Sequence, residues 1–121
     1  MTQNLPSPNA FPPLTPAVFN ILLALADGEK HGYAIMLEVE ANTQGAVKMG
    51  PGTLYGSIKR MLEAGLITES DERPDPSLDD QRRRYYALSG LGRRVLTAEA
   101  QRLRDQAALA QRKGVLEGTP G

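Results

Sequence analysis

The run VFNILLALA at residues 18–26 is the feature that most narrows the folds open to this chain. A helix built from it is apolar on nearly every side instead of along one stripe, so it must be covered from two directions. Thr15 is placed to cap its start, and Pro16 takes the first helical position, where a missing N–H costs nothing. Asp27-Gly28 marks its end. A chain of 121 residues holds one compact domain with a modest core. That core covers one side of the helix and leaves the other for a partner chain.

Composition removes whole classes of function. With no cysteine, disulfides, thiolate metal sites and cysteine nucleophiles are excluded. His31 alone cannot build a histidine metal centre, so neither metal nor cofactor is expected. The absence of tryptophan and the few aromatics argue against a carbohydrate or aromatic-cage site. No apolar run approaches the roughly 20 residues a membrane span needs, and the N-terminus lacks a basic-then-apolar secretion pattern. The expectation is a cytoplasmic protein with no membrane contact.

A formal net charge of zero counts against a nucleic-acid binder until its distribution is considered. Up to Gln81, five basic residues face eleven acidic ones; from Arg82 to Lys113, nine basic residues face only Glu99 and Asp105. Charge segregated in this way creates a local positive surface.

Residues 1–13, rich in proline and without periodicity, read as a disordered N-terminal arm. A second helix is expected from His31 to about Asn42, with Tyr33, Ile35, Met36 and Val39 as its apolar positions; Tyr33 is placed in the core. Residues 43–49 read as a turn, with room for an extended piece at 46–49. Gly50-Pro51-Gly52 breaks the chain, and a third helix starts near Thr53. Its Leu54, Ile58, Met61 and Leu62 recur at i, i+4, i+7 and i+8, one helical face. Leu66 to Glu69 and then RRRYYALS read as two extended segments of a hairpin, joined by the acidic stretch ERPDPSLDDQ. A final helix runs from Ser89 to about Lys113, where Leu96, Ala100, Leu103, Ala107 and Ala110 form a heptad seam.

Three helices followed by a hairpin is the winged helix-turn-helix order. The blocks LALADGEKHGYAI, GPGTLYGSIKRMLEAGLI and RRRYYALSGLGRRVL also resemble the PadR-like transcriptional regulators, over roughly Leu14 to Leu103. The single final helix looks like the small branch of that family, with one C-terminal dimerisation helix. The expected fold class is mainly α with a small β-hairpin. It divides into a winged-helix DNA-binding domain at 14–88, a dimerisation helix at 89–113 and a flexible tail at 114–121. The resemblance implies a homodimer on a palindromic operator, usually a repressor, with each wing beside a helix in the major groove. Here the acidic wing tip and the alanine-rich final helix depart from the family pattern.

On the third helix, Thr53, Gly56, Lys59 and Arg60 project away from the apolar stripe. Lys59 and Arg60 suit phosphate or guanine, and Gly56 allows close backbone approach. Tyr55 lies at the stripe's edge, where a core ring can send its hydroxyl to a phosphate; Ser57 lies nearer the buried side and is retained as a weaker candidate for DNA contact. Thr53 serves either an anion at the helix start or the helix itself. Arg82, Arg83 and Arg84 alternate along the wing strand, so they cannot all meet one partner, and at least one is expected to pair with Glu72, Asp79 or Asp80. Arg93 and Arg94 open the last helix against its dipole, which points either to an anionic partner or to plain solvent exposure. Phe19, Leu22, Leu23, Leu96, Ala100, Leu103, Ala107 and Ala110 are the candidate dimer contacts. The interface they form leaves a place for a small apolar or aromatic effector. No paired catalytic carboxylates, nucleophile elbow or P-loop lysine appears, so no catalytic residue is assigned and an enzyme is not expected. The competing reading is a winged-helix module that binds protein without reading DNA.

Overall fold

The computed structural model describes residues 11–70, 73–74 and 82–117, and of Arg73, Pro74 and Arg82 the backbone only. The elements run α1 (Pro16–Ala24), β1 (Lys30–His31), α2 (Gly32–Asn42), α3 (Pro51–Glu63), β2 (Ile67–Glu69), β3 (Arg73–Pro74), β4 (Arg82–Arg83), β5 (Tyr85–Leu88) and α4 (Gly90–Arg112). This mainly helical winged-helix arrangement matches the expected fold class. Most of the expected disordered arm, residues 1–10, lies outside the described residues, while Phe11 and Leu14 pack against the core.

The apolar α1 is the hub. Thr15 Oγ1 accepts from the Val18 N–H at 3.2 Å, and Pro16 sits in the first turn. Ile21, Leu22 and Ala24 are wholly buried against Ile35 and Val39 of α2 and Val95 and Leu96 of α4. Two cations meet its C-terminal end, where unpaired carbonyls carry partial negative charge. Lys30 Nζ donates to the Ala24 carbonyl at 2.7 Å, and Arg93 Nη2 donates to that of Ala26 at 2.9 Å. Arg93 therefore opens α4 in order to close α1, which resolves its misfit with the α4 dipole.

Lys30 also pairs with Asp27 at 2.5 Å and Glu38 at 3.5 Å. Hydrogen bonding to Lys30 and its charge hold the Asp27 carboxyl below its ordinary 3.8. Burial pulls Lys30 down, but the bond to Asp27 and the charges of Glu38 and Asp27 outweigh it and leave Lys30 above its ordinary 10.5. A lowered acid stabilises the fold above its unfolded value, and a raised base does so below its own. The pair's contribution thus spans the neutral range, fading in acid as Asp27 protonates and in strong alkali as Lys30 loses its proton. Lys30→Met is expected to cost about 1–2 kcal/mol at pH 7 by urea unfolding, because it strips a charge-assisted bond from a partly buried carbonyl.

His31 Nδ1 accepts from the Ala34 N–H at 3.1 Å and caps α2. The residues just before α2 hold a strand that sequence reading did not foresee. Antiparallel pairs Lys30↔Tyr86 and His31↔Tyr85 place β1 beside β5, and Ile67↔Leu88, Thr68↔Ala87 and Glu69↔Tyr86 place β2 on its other side. The distal wing forms a separate two-stranded ladder, Arg73↔Arg83 and Pro74↔Arg82. Hairpin pairing therefore reaches into the stretch expected to be turn. Residues 46–49 form no strand.

The start of α4 is fastened to the end of α3. Ser89 Oγ accepts from the Gly92 N–H at 2.9 Å and donates to the Gly65 carbonyl at 2.6 Å, while the Ser89 N–H donates to the Leu66 carbonyl at 3.0 Å. Gly92 lies so close to Leu66 that a Cβ there would fall 1.9 Å from that carbonyl oxygen. Glu99 is the last buried residue of α4; Arg102 pairs with its carboxylate at 2.5 Å and keeps its pKa low. Beyond it, the helix runs on into solvent.

Candidate nucleic-acid interface

Helix α3 carries two faces because its sequence has two stripes. Leu54, Ser57, Ile58 and Met61 are buried, with 1–3% of each exposed. At 100° per residue, Gly52, Tyr55, Gly56, Lys59 and Arg60 then share an arc of roughly 140° on the other side, with Glu63 closing it at the C-terminal end. All but Gly56, which is half-buried, are exposed, and Thr53 is exposed at the arc's edge. The structure thus brings Thr53, Tyr55, Gly56, Lys59 and Arg60 together on one surface. Ser57 is a correction: it faces inward, where its Oγ accepts from Arg60 Nη2 at 3.3 Å, so it steadies the arginine and is not a groove-facing residue.

The start of α3 is electrostatically open. Gly50 caps it without a side-chain hydrogen bond, and no acidic residue occupies its first turn. The partial positive charge of the helix end is therefore not neutralised locally. Gly56 carries the most direct information. Among the described residues a Cβ there would meet only Arg60 Nη1, at an ordinary 3.7 Å, so none of them requires a glycine. A mid-helix glycine nonetheless costs roughly 1 kcal/mol against alanine.

Tyr55 is 46% exposed, and its hydroxyl lies against the start of α2, where a Cβ on Gly32 would fall 2.2 Å from it. Its ring therefore sets how α3 seats on α2. The phenol of Tyr86 is pushed up by burial, with Glu69 and Tyr55 adding to the effect.

Among the wing arginines, the side chain of Arg82 lies outside the described residues. Arg84 pairs with Glu69 at 3.5 Å; the carboxylates expected to pair with these arginines, Glu72, Asp79 and Asp80, also lie outside. Arg83 places its guanidinium carbon 5.5 Å from the centroid of the Tyr33 ring. Tyr33 is 48% exposed, which corrects its placement in the core: Ile35 and Val39 fill the buried side of α2, and Tyr33, two residues before Ile35, lies about 200° around the helix from it, toward the surface. Its exposure was hidden because aromatic residues at helical spacing read as core.

The candidate dimer contacts divide. Leu22 and Leu96 are 0% and 6% exposed inside their own chain and cannot reach a second one, a correction that follows from how deeply α1 and α4 pack together. Phe19 is half-buried against the core. Leu23 and Leu103 are 41% and 40% exposed, Ala100 and Ala107 are exposed, and Ala110 is half-buried. Leu109 and Leu116, absent from the heptad reading, are also exposed. Among the described residues no group of three acidic or histidine side chains is placed to hold a metal, and no helix is long and apolar enough to cross a membrane.

Comparison with known proteins adds to this geometry. The sequence model of the Transcriptional regulator PadR-like family matches residues 21–98. A PadR family transcription regulator from Clostridium difficile has a similar structure, with TM-score 0.67 and 22% identity, covering 81% of this chain and 97% of that one. A PadR-like transcriptional regulator from Bacillus cereus is similar at TM-score 0.67 and 22% identity, covering 84% and 92%. At such identities these likenesses speak for the fold. In sequence, an uncharacterized protein of transposon TN4556 in Streptomyces fradiae is 36% identical over 80 residues, 66% of this chain. The match spans only 21% of that protein's length.

Proposed function

Since this chain belongs to the PadR-like family of transcriptional regulators, a family of DNA-binding regulators and not of enzymes, we propose that the exposed face of α3 reads its operator. The observation that carries this reading is Gly56, a mid-helix glycine that none of the described residues requires, flanked on its face by Lys59 and Arg60. A bare backbone between two cations suits a helix pressed into a major groove.

The working form is a twofold homodimer on a palindromic site. Support comes from α4, whose Ala100, Leu103 and Ala107 continue past the last buried residue, Glu99, and stay exposed among the described residues. Pairing through α4 and through Leu23 of α1 sets two copies of α3 about one duplex turn, roughly 34 Å, apart. The regulator acts in the cytoplasm as a repressor. A small apolar or aromatic effector releases it by favouring one spacing of the two reading helices over the other. A cleft of about 450 Å³ between residues 11–14 and α4, walled by Phe11, Leu14, Val95 and Ala98 and also by the polar Glu99, Gln101, Arg102 and Asp105, offers such a ligand room beside the proposed dimer surface.

Gel retardation of the DNA upstream of its own gene, at rising salt, tests the reading. Affinity should fall roughly a hundredfold or more between 50 and 200 mM salt as phosphate-bound counterions cease to drive binding. Absent or salt-insensitive retardation would favour the protein-binding module instead.

A further inference from the structure

We propose that Tyr33 is a positioning residue for DNA binding: its exposed ring holds Arg83, and with it the distal wing, in fixed register with the helical reading head. The proposal rests on the DNA-reading function above and adds a residue to it.

The distal wing needs such a tie. Strands β3 and β4 are two residues each and form their own ladder, apart from the three-stranded sheet that joins β5 to β1 and β2. Two paired residues per strand make a marginal element by themselves. The contact of Arg83 with Tyr33, at 5.5 Å from the ring centroid, runs from β4 directly to the first turn of α2 and bypasses the sheet. At α2's start, Gly32 is clasped by the Tyr55 ring of α3. The chain of contact is therefore α3 to α2 through Tyr55 and Gly32, then α2 to the wing through Tyr33 and Arg83.

The chemistry of the contact fits a cation that must also meet phosphate. A ring face attracts a guanidinium through its quadrupole and leaves the in-plane N–H edge unengaged by that attraction. A carboxylate does the opposite, taking up N–H donors and cancelling the charge. The neighbouring Arg84 shows that second arrangement, paired with Glu69.

The test uses the full chain with Tyr33→Leu, Tyr33→Phe, Arg83→Ala and the Tyr33→Leu/Arg83→Ala pair. Two quantities are read: operator affinity, and amide hydrogen exchange of the free protein at Arg82 and Arg83. Tyr33→Leu should weaken binding about fivefold, the worth of a partly exposed cation–π contact. Tyr33→Phe, which keeps the ring, should bind like the parent. In the Arg83→Ala background, Tyr33→Leu should have no further effect. Fully additive losses, or parental affinity in Tyr33→Leu, would overturn the proposal. In the free protein Tyr33→Leu should speed exchange at β4 by about the same factor and leave β2 and β5 unchanged. Unchanged exchange at β4 also overturns it. Should the parent protein fail to retard DNA while β4 exchange still depends on Tyr33, the DNA reading falls and the tie between wing and α2 stands as structure alone.

Discussion

Gly92→Ala is expected to lower the unfolding free energy by about 2–3 kcal/mol and the melting temperature by on the order of 10 °C. The added methyl would sit 1.9 Å from the Leu66 carbonyl oxygen and 2.9 Å from its carbon. Backbone cannot rotate out of the way as the tip of a side chain can. Relief requires α4 to lift from the turn after α3, which stretches two hydrogen bonds anchored on Ser89, those to the Gly65 and Leu66 carbonyls. A helix-interior alanine normally gains roughly 1 kcal/mol over glycine, so the clash must first offset that gain. Gly90→Ala provides the control. Its Cβ would meet only Arg94 Nη1 at 3.9 Å, and it should be neutral or slightly stabilising. Thermal unfolding of both variants beside the parent checks the pair. Equal melting temperatures for the two would show that α4 is not seated as described.

The seat matters beyond stability. The buried start of α4 joins the turn that ends α3, while its distal half carries the surface proposed for the second copy. In the proposed dimer, a shift of α4 would reach α3 through these backbone contacts, without a flexible linker in between. An effector that altered the geometry of the proposed dimer would have a short mechanical route to the exposed face of α3.

Much of this architecture was legible in the residues. The 3.6-residue spacing of Leu54, Ile58 and Met61 located α3 and its inner face, the cap Thr15 marked the start of α1, and the last helix was expected from Ser89, which the structure shows to be its cap. Periodicity failed where elements are too short to show it. A two-residue strand such as β1 has no alternation to detect, and β3 hides in a segment whose Pro74 and acidic neighbours read as turn. Helix α3 starts at Pro51, slightly earlier than Thr53, because proline is favoured in a first turn and Gly50 serves as a cap without a polar side chain.

The candidate site was legible in its chemistry and less so in its partners. Which way Lys59 and Arg60 point follows from counting along one helix. That Arg93 serves the end of α1, 67 residues earlier in the chain, or that Arg84 chooses Glu69, depends on tertiary contacts that local spacing does not encode. The same limit explains Leu22 and Leu96. A heptad seam identifies apolar positions, but only packing decides whether a chain's own core or a second copy covers them.

Lys59→Ala with Arg60→Ala is expected to raise the operator Kd by roughly a hundredfold or more, since phosphate and guanine contacts of this kind are each worth about 1–3 kcal/mol. Both side chains are exposed, and the Arg60 bond to Ser57 is a long 3.3 Å, so melting temperature and hydrodynamic mass should hold. The most direct measurement is therefore a DNA-binding titration of this double variant against the parent at several salt concentrations. Collapse of affinity, with a shallower salt dependence in whatever binding remains, is the predicted result. Parental affinity with parental salt dependence would mean that some other surface of the protein reads DNA.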